Sequence, residues 1–137
     1  MNHLESKEQK AVIKWANLSL GKYPMLKWLH SSQAGVKMNA IQASIAKAEG
    51  MKSGISDIFL PYPICKDNGD GTHSMIYAGL YIEMKRPKIA NVSKGVLSQS
   101  QKEFLEYAGS VGYKAVVCYG ATEAIETIKN YLDMDNN

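Results

Sequence analysis

Two carboxylates and an amine stand at positions that could do chemistry: Asp57, Glu83 and Lys85. The last two lie in GLYIEMKRP (79–87), where Leu80, Ile82 and Met84 alternate with Tyr81, Glu83 and Lys85. That alternation is the period of a strand with one apolar face. Two residues along a strand advance about 7 Å, so Glu83 and Lys85 leave the same face as neighbours. By themselves they would be an ordinary solvated surface. Asp57 changes that reading. It opens SDIFLPYPIC, an expected strand, and the turn-rich KDNGDGTHS follows. A hairpin pairing 57–62 with 75–86 sets the start of one strand beside the end of the other, so Asp57 and Glu83 become neighbours. Adjacent carboxylates repel, and one takes up a proton unless a cation stands between them. A divalent metal removes that conflict, polarises a phosphoryl oxygen and acidifies a bound water. Lys85 would then orient or help deprotonate the attacking water, or balance charge on the phosphorus. These are the parts of metal-assisted phosphodiester hydrolysis.

The elements that must hold this set are legible in outline. LESKEQKAVIKWANLSLGKYP predicts a helix from about Glu5 to Leu20, stopped by Gly21 and Pro24. MLKWLHSS (25–32) reads as a strand. A short helix is expected from Asn39 to Glu49, with Ile41, Ile45 and Ala48 on one side and Gly50 as its stop. After the hairpin and the polar PKIANVSKG come a helix from Gln99 to Val111, a buried strand YKAVVCYG and a closing helix ATEAIETIKNYLDM. The order α-β-α-β-β-α-β-α predicts an α/β fold, a mixed sheet flanked by helices with a right-handed crossover. DNGDG is no calcium loop, because glycines occupy two positions where an EF-hand needs ligands.

Composition bounds the function. A chain of 137 residues with 45% apolar and 21% charged side chains suits one globular domain, taken as 1–137. No apolar run approaches a membrane span and no leader pattern follows Met1, so a cytoplasmic protein away from membranes is expected. Cys65 and Cys118 make no metal or disulfide framework, and His3, His30 and His73 lack ligand spacing. A metal would therefore be held by carboxylates, which favours Mg²⁺ or Mn²⁺. The net charge is +3, carried by fifteen lysines and the single Arg86. Lysine suits phosphates, whereas base edges are read by forked arginines, so a nucleic-acid partner would be recognised by backbone and shape. Lys47 and Lys52 before Asp57, with Arg86, Lys88 and Lys94 after Lys85, are the expected phosphate contacts.

Asp57…Glu83-Met84-Lys85 within an αβββαβ order resembles the PD-(D/E)XK nuclease superfamily. Within it the chain is similar to the VRR-NUC family, especially its small stand-alone members from viruses and bacteria. KEQKAVIKWA, AEGMKSGISDIFLP, YIEMKRP and LSQSQKEFLEYAGSVGYKAVVCYG carry the similarity, in order, over nearly the whole chain. The resemblance implies Asp57, Glu83 and the backbone carbonyl of Met84 as metal ligands, Lys85 as the catalytic lysine and Gln101 as an active-site residue. Ser56 stands where the superfamily has proline. Related nucleases also place a first-helix glutamate near the metal. Glu8, four residues before Val12 on an inward stripe, is the candidate, against the reading that it stays wet or favours its own helix N-terminus. Gln101 has a rival role as well: Ser98-Gln99-Ser100-Gln101 fits a capping box. Structure-selective cleavage of branched DNA follows from the resemblance, as in a Holliday-junction resolvase. Such an enzyme needs a homodimer, with Trp28 or Tyr62 as interface candidates, in a bacterium or an infected host cell. A nuclease with little structural preference and a catalytically silent DNA-binding subunit are the alternatives.

Overall fold

A computed structural model describes residues 3–32 and 37–136. Helix α1 (His3–Leu18) buries Glu5, Val12 and Ala16 on one stripe. Its spacing of seven and four residues is that of a helix face. The chain leaves it through turns in which the Lys22 and Tyr23 N–H groups both donate to the Ser19 carbonyl. The strand expected over 25–32 is instead a 3₁₀ helix, Pro24–Trp28, followed by a two-residue strand β1 (His30–Ser31). Pro24 supplies the fixed φ of a helical first turn and has no N–H to give a ladder, so the apolar run winds before it can extend.

Helix α2 (Ala40–Ala48) starts on a capping box between Asn39 and Gln42. It ends with Gly50 at φ +104°, the Met51 N–H reaching the Ala46 carbonyl and the Gly50 N–H reaching that of Lys47. This paired ending satisfies two otherwise orphaned carbonyls. Its expected apolar side faces outward: Ile41 is 74% and Ile45 53% exposed.

Strands β2 (Ile58–Leu60), β3 (Ile64–Asp67), β4 (His73–Tyr77) and β5 (Leu80–Lys85) form the expected antiparallel hairpin in two pieces. The inner piece pairs β2 with β5, Ile58 opposite Ile82 and Leu60 opposite Leu80. The outer piece, β3 with β4, is a separate ribbon. Pro61 and Pro63 interrupt the first strand because neither can donate to a ladder. Gly79 marks the break in the second. A Cβ there would stand 2.9 Å from the Phe59 ring, so only glycine lets the chain bend so close.

Helix α3 (Gln99–Ser110) crosses to β6 (Lys114–Tyr119), which runs parallel to β5, and α4 (Ala121–Asp133) closes the fold. The main sheet has the order β1-β2-β5-β6, a mixed sheet with flanking helices as expected. One face carries Ile58, Leu60, Leu80, Ile82, Met84 and Cys118, buried with Val12 and Ala16 of α1 and Ala124, Ile128, Tyr131 and Leu132 of α4. The opposite face carries stacked Phe59 and Tyr81, with Phe104 of α3 edge-on to Tyr81 and Tyr113 edge-on to both. The YKAVVCYG strand is less buried than expected: β6 is the sheet edge, and only Cys118 is fully covered.

Candidate active site

The aromatic face runs directly into the acidic one. Extending the β2–β5 register by one residue sets Asp57 opposite Glu83. Residues facing each other in an antiparallel pair leave the sheet on the same side, here that of Tyr81 and Lys85. Asp57, Glu83 and Lys85 are all buried, Glu83 to 2% exposure. The Met84 N–H donates to Asp57 Oδ2 at 2.7 Å, which locks the aspartate onto the neighbouring strand. Glu83 Oε1 is buried with no hydrogen-bond partner.

Such a carboxyl cannot stay ionised alone. Burial pushes the Glu83 pKa from 4.5 up to about 9; the Asp57 carboxylate adds to the rise as hydrogen-bond partner and as charge. Lys85 opposes the shift and Glu5 adds a smaller upward push. Without a cation, Glu83 therefore holds a proton at neutral pH.

Glu5 is the first-helix glutamate in this cluster. It is buried, and its Oε1 would stand 3.1 Å from a Cβ placed on Gly95. The same Cβ would meet Cδ and Cβ of Lys85 at 3.1 and 3.2 Å. Gly95 thus closes over the glutamate and the lysine because it has no side chain. Glu8, the glutamate picked out from the sequence, has a different partner: its Oε2 accepts the Ala121 N–H at 2.6 Å, at the first turn of α4. It caps a helix N-terminus, as its electrostatic rival reading suggested, but that of α4 rather than α1. Glu5 was within reach of the same periodicity, since it lies seven residues before Val12; the choice between two glutamates three apart needed the tertiary packing.

Gln101 closes the capping box at the start of α3. Its Oε1 accepts the Ser98 N–H at 2.9 Å and its own N–H donates to Ser98 Oγ. Arg86 donates Nε to the Ser93 carbonyl at 2.8 Å, so part of its donor fork stays within the chain. Lys94 lies over the Tyr119 ring, 4.7 Å from its centroid, and Tyr119 is the register partner of Lys85. Lys47, Lys52 and Lys88 are exposed. Ser56, at the position of the superfamily proline, is buried and its Oγ finds no partner. Trp28 is exposed with Lys27 over its ring, and the Tyr62 hydroxyl donates to Asp135.

Among the described residues, no group of three or more His, Cys, Asp or Glu side chains converges closely enough to cage a metal ion. A hard cation that keeps several waters needs no such cage, only one or two carboxylates and substrate phosphate oxygens. Asp57 and Glu83 fit that requirement: they are oxygen donors in register, one oxygen is buried and unpartnered, and the pair carries excess negative charge unless protonated.

The fold has a counterpart among solved structures. A solved structure of a VRR-NUC domain protein superposes with a TM-score of 0.70 at 26% identity, over 98% of this chain and 92% of that one. No curated protein matches the sequence. The VRR-NUC domain family matches residues 3–122, from the first turn of α1 to the start of α4. Since that match covers most of the chain, the chain belongs to the VRR-NUC family of nuclease-type domains.

Proposed function

We propose that residues 1–137 act as one Mg²⁺- or Mn²⁺-dependent endodeoxyribonuclease domain selective for branched DNA, in the manner of a Holliday-junction resolvase. The observation that carries the reading is the buried Asp57–Glu83 pair, whose glutamate is pushed up to about 9 while Lys85 leaves the same strand face two residues on. Sheet register alone would not require a carboxyl so unfavourably placed, and burying one without a function is costly.

Asp57, Glu83 and the Met84 carbonyl would hold the cation, with Glu5 beside them from α1. When bound, the cation supplies a Lewis acid for the phosphoryl oxygen and an acidified water. Glu83 would have to give up its proton to serve as a ligand. Lys85, held against Gly95, aims its amine along the same face to orient the attacking water and offset charge gathering on the phosphate. The exposed Lys47, Lys52, Lys88 and Lys94, with the free part of the Arg86 fork, track the backbone. Paired cuts across a junction require two such sites, hence a homodimer. Gln101 contributes by fixing the first turn of α3.

The test is cleavage of an end-labelled four-way junction beside linear duplex of matching sequence, with Mg²⁺, Mn²⁺ or EDTA. Paired symmetric nicks in the junction, abolished by EDTA and by Lys85→Ala, are the expected result. Equal cutting of both substrates would leave a nuclease with little structural preference. Binding without metal-dependent cutting would leave a silent DNA-binding subunit.

A further inference from the structure

Immediately after Lys85 the chain makes a closed finger. The Gly95 N–H donates to the Arg86 carbonyl at 3.0 Å and Arg86 Nε to the Ser93 carbonyl at 2.8 Å, which ties its base. At its tip Ile89 and Val92 exchange both backbone hydrogen bonds, at 3.1 and 2.9 Å, around the two-residue turn Ala90-Asn91. Directly opposed residues of such a pair put their side chains on one side. Ile89 and Val92 are nevertheless 49% and 37% exposed, and Val96 just beyond the base is 79% exposed. Lys88 and Lys94 flank the tip, and no Asp or Glu occurs between Glu83 and Glu103. The base rests on the site itself, since a Cβ on Gly95 would meet both Glu5 and Lys85.

We propose, resting on the nuclease reading above, that this finger is a wedge: Ile89 and Val92 enter the base stack at a discontinuity in DNA while Lys88 and Lys94 hold the flanking phosphates. The exposed pair Ile89 and Val92 is aliphatic, which suits contact with base faces. The charged side chains of the finger itself, Arg86, Lys88 and Lys94, are all cationic, which suits a phosphate-bordered opening and disfavours an apolar protein partner. Its backbone is pre-tied, so little ordering entropy opposes insertion. Prising apart an intact stack consumes a few kcal/mol per step, whereas a branch point is already interrupted. An aliphatic wedge fixed to the catalytic lysine therefore places the scissile phosphate beside Asp57 and Glu83 only where the stack yields. Structure selectivity arises from the same loop that closes the site.

The test uses the full chain with 2-aminopurine at the branch point of a four-way junction, in a Lys85→Ala background that does not cut. Binding is expected to raise its fluorescence, and the added pair Ile89→Ser/Val92→Ser to abolish that rise. In the otherwise intact enzyme the same pair should lower the junction-to-duplex cleavage ratio about tenfold, the loss of one modest unstacking preference. Both substituted side chains are exposed, and an unchanged melting temperature checks that the fold survives. An unchanged cleavage ratio and an unchanged fluorescence rise in the double variant would overturn the wedge while leaving the nuclease intact. Failure of the unsubstituted chain to cut any DNA with Mg²⁺ or Mn²⁺ would overturn both readings.

Discussion

Strand β5 serves two regions that share a backbone and differ in everything else. Leu80, Ile82 and Met84 face the aliphatic side, buried against α1 and α4. Tyr81, Glu83 and Lys85 face the aromatic and acidic side, and the last two are almost as deeply buried. On the first side burial is the driving force, since each fully covered aliphatic chain stabilises by about 1.5–3 kcal/mol. On the second, burial works against the charged form, and the strain shows as a glutamate that keeps its proton to about pH 9. Equal coverage therefore means opposite things on the two faces: one holds the strand, the other sets a carboxyl against its own charge.

Substitutions on alternate residues can break that contrast. Lys85→Ala should lower cleavage by about 10³-fold, the scale of a lost positioned proton-handling group, while leaving the fold in place. Single-turnover assays and circular dichroism check the two halves. Ile82→Ala, one residue away from Glu83, should do the reverse and destabilise by about 2–5 kcal/mol through a cavity, read by urea unfolding.

The first-helix glutamates sharpen the same division. Glu5→Gln should reduce activity about 10- to 100-fold with little loss of stability, because it acts on the site's charge and geometry. Glu8→Ala should instead remove an acceptor from the first turn of α4 and cost about 0.5–2 kcal/mol, seen as a lower melting temperature. The opposite ranking would return the metal-side role to Glu8.

The last test concerns pH. The folded-state pKa of Glu83 lies above its ordinary 4.5, so the folded chain binds the proton more tightly than the unfolded one. Its stabilising contribution is complete below about 4.5 and is lost as pH rises to about 9. Metal-free protein should accordingly melt at lower temperature at pH 8.5 than at pH 6, and Glu83→Gln should flatten that slope. Mn²⁺ should restore more stability at the higher pH and release a proton on binding at pH 7, measurable in weakly buffered solution.

Much of the fold was legible because its signals are local. The period of two in 80–85 predicted which residues of β5 share a face and which face is the apolar one. Asn39 with Gln42 and Ser98 with Gln101 form the capping boxes that start α2 and α3, the second already read from its spacing. The hairpin's pairing was right, but its division into two ribbons depended on prolines and a glycine whose effect is set by what they pack against. The stretch 25–32 misled for a related reason: an apolar run does not distinguish a strand from a short 3₁₀ turn after proline. In α2 the apolar stripe was real, yet a stripe alone does not say that anything covers it.

By itself, the sequence determined which residue types could meet: Asp57, Glu83 and Lys85 follow from strand period and hairpin pairing, which are consequences of backbone geometry. Tertiary structure alone decided the competitions between residues with equal local claims. Glu5 and Glu8 share a helical stripe, and only the approach of α4 gives Glu8 the Ala121 N–H and leaves Glu5 beside Gly95 and Lys85. Gly95 carries no sequence signal at all, because a missing side chain matters only where two distant segments come within van der Waals contact.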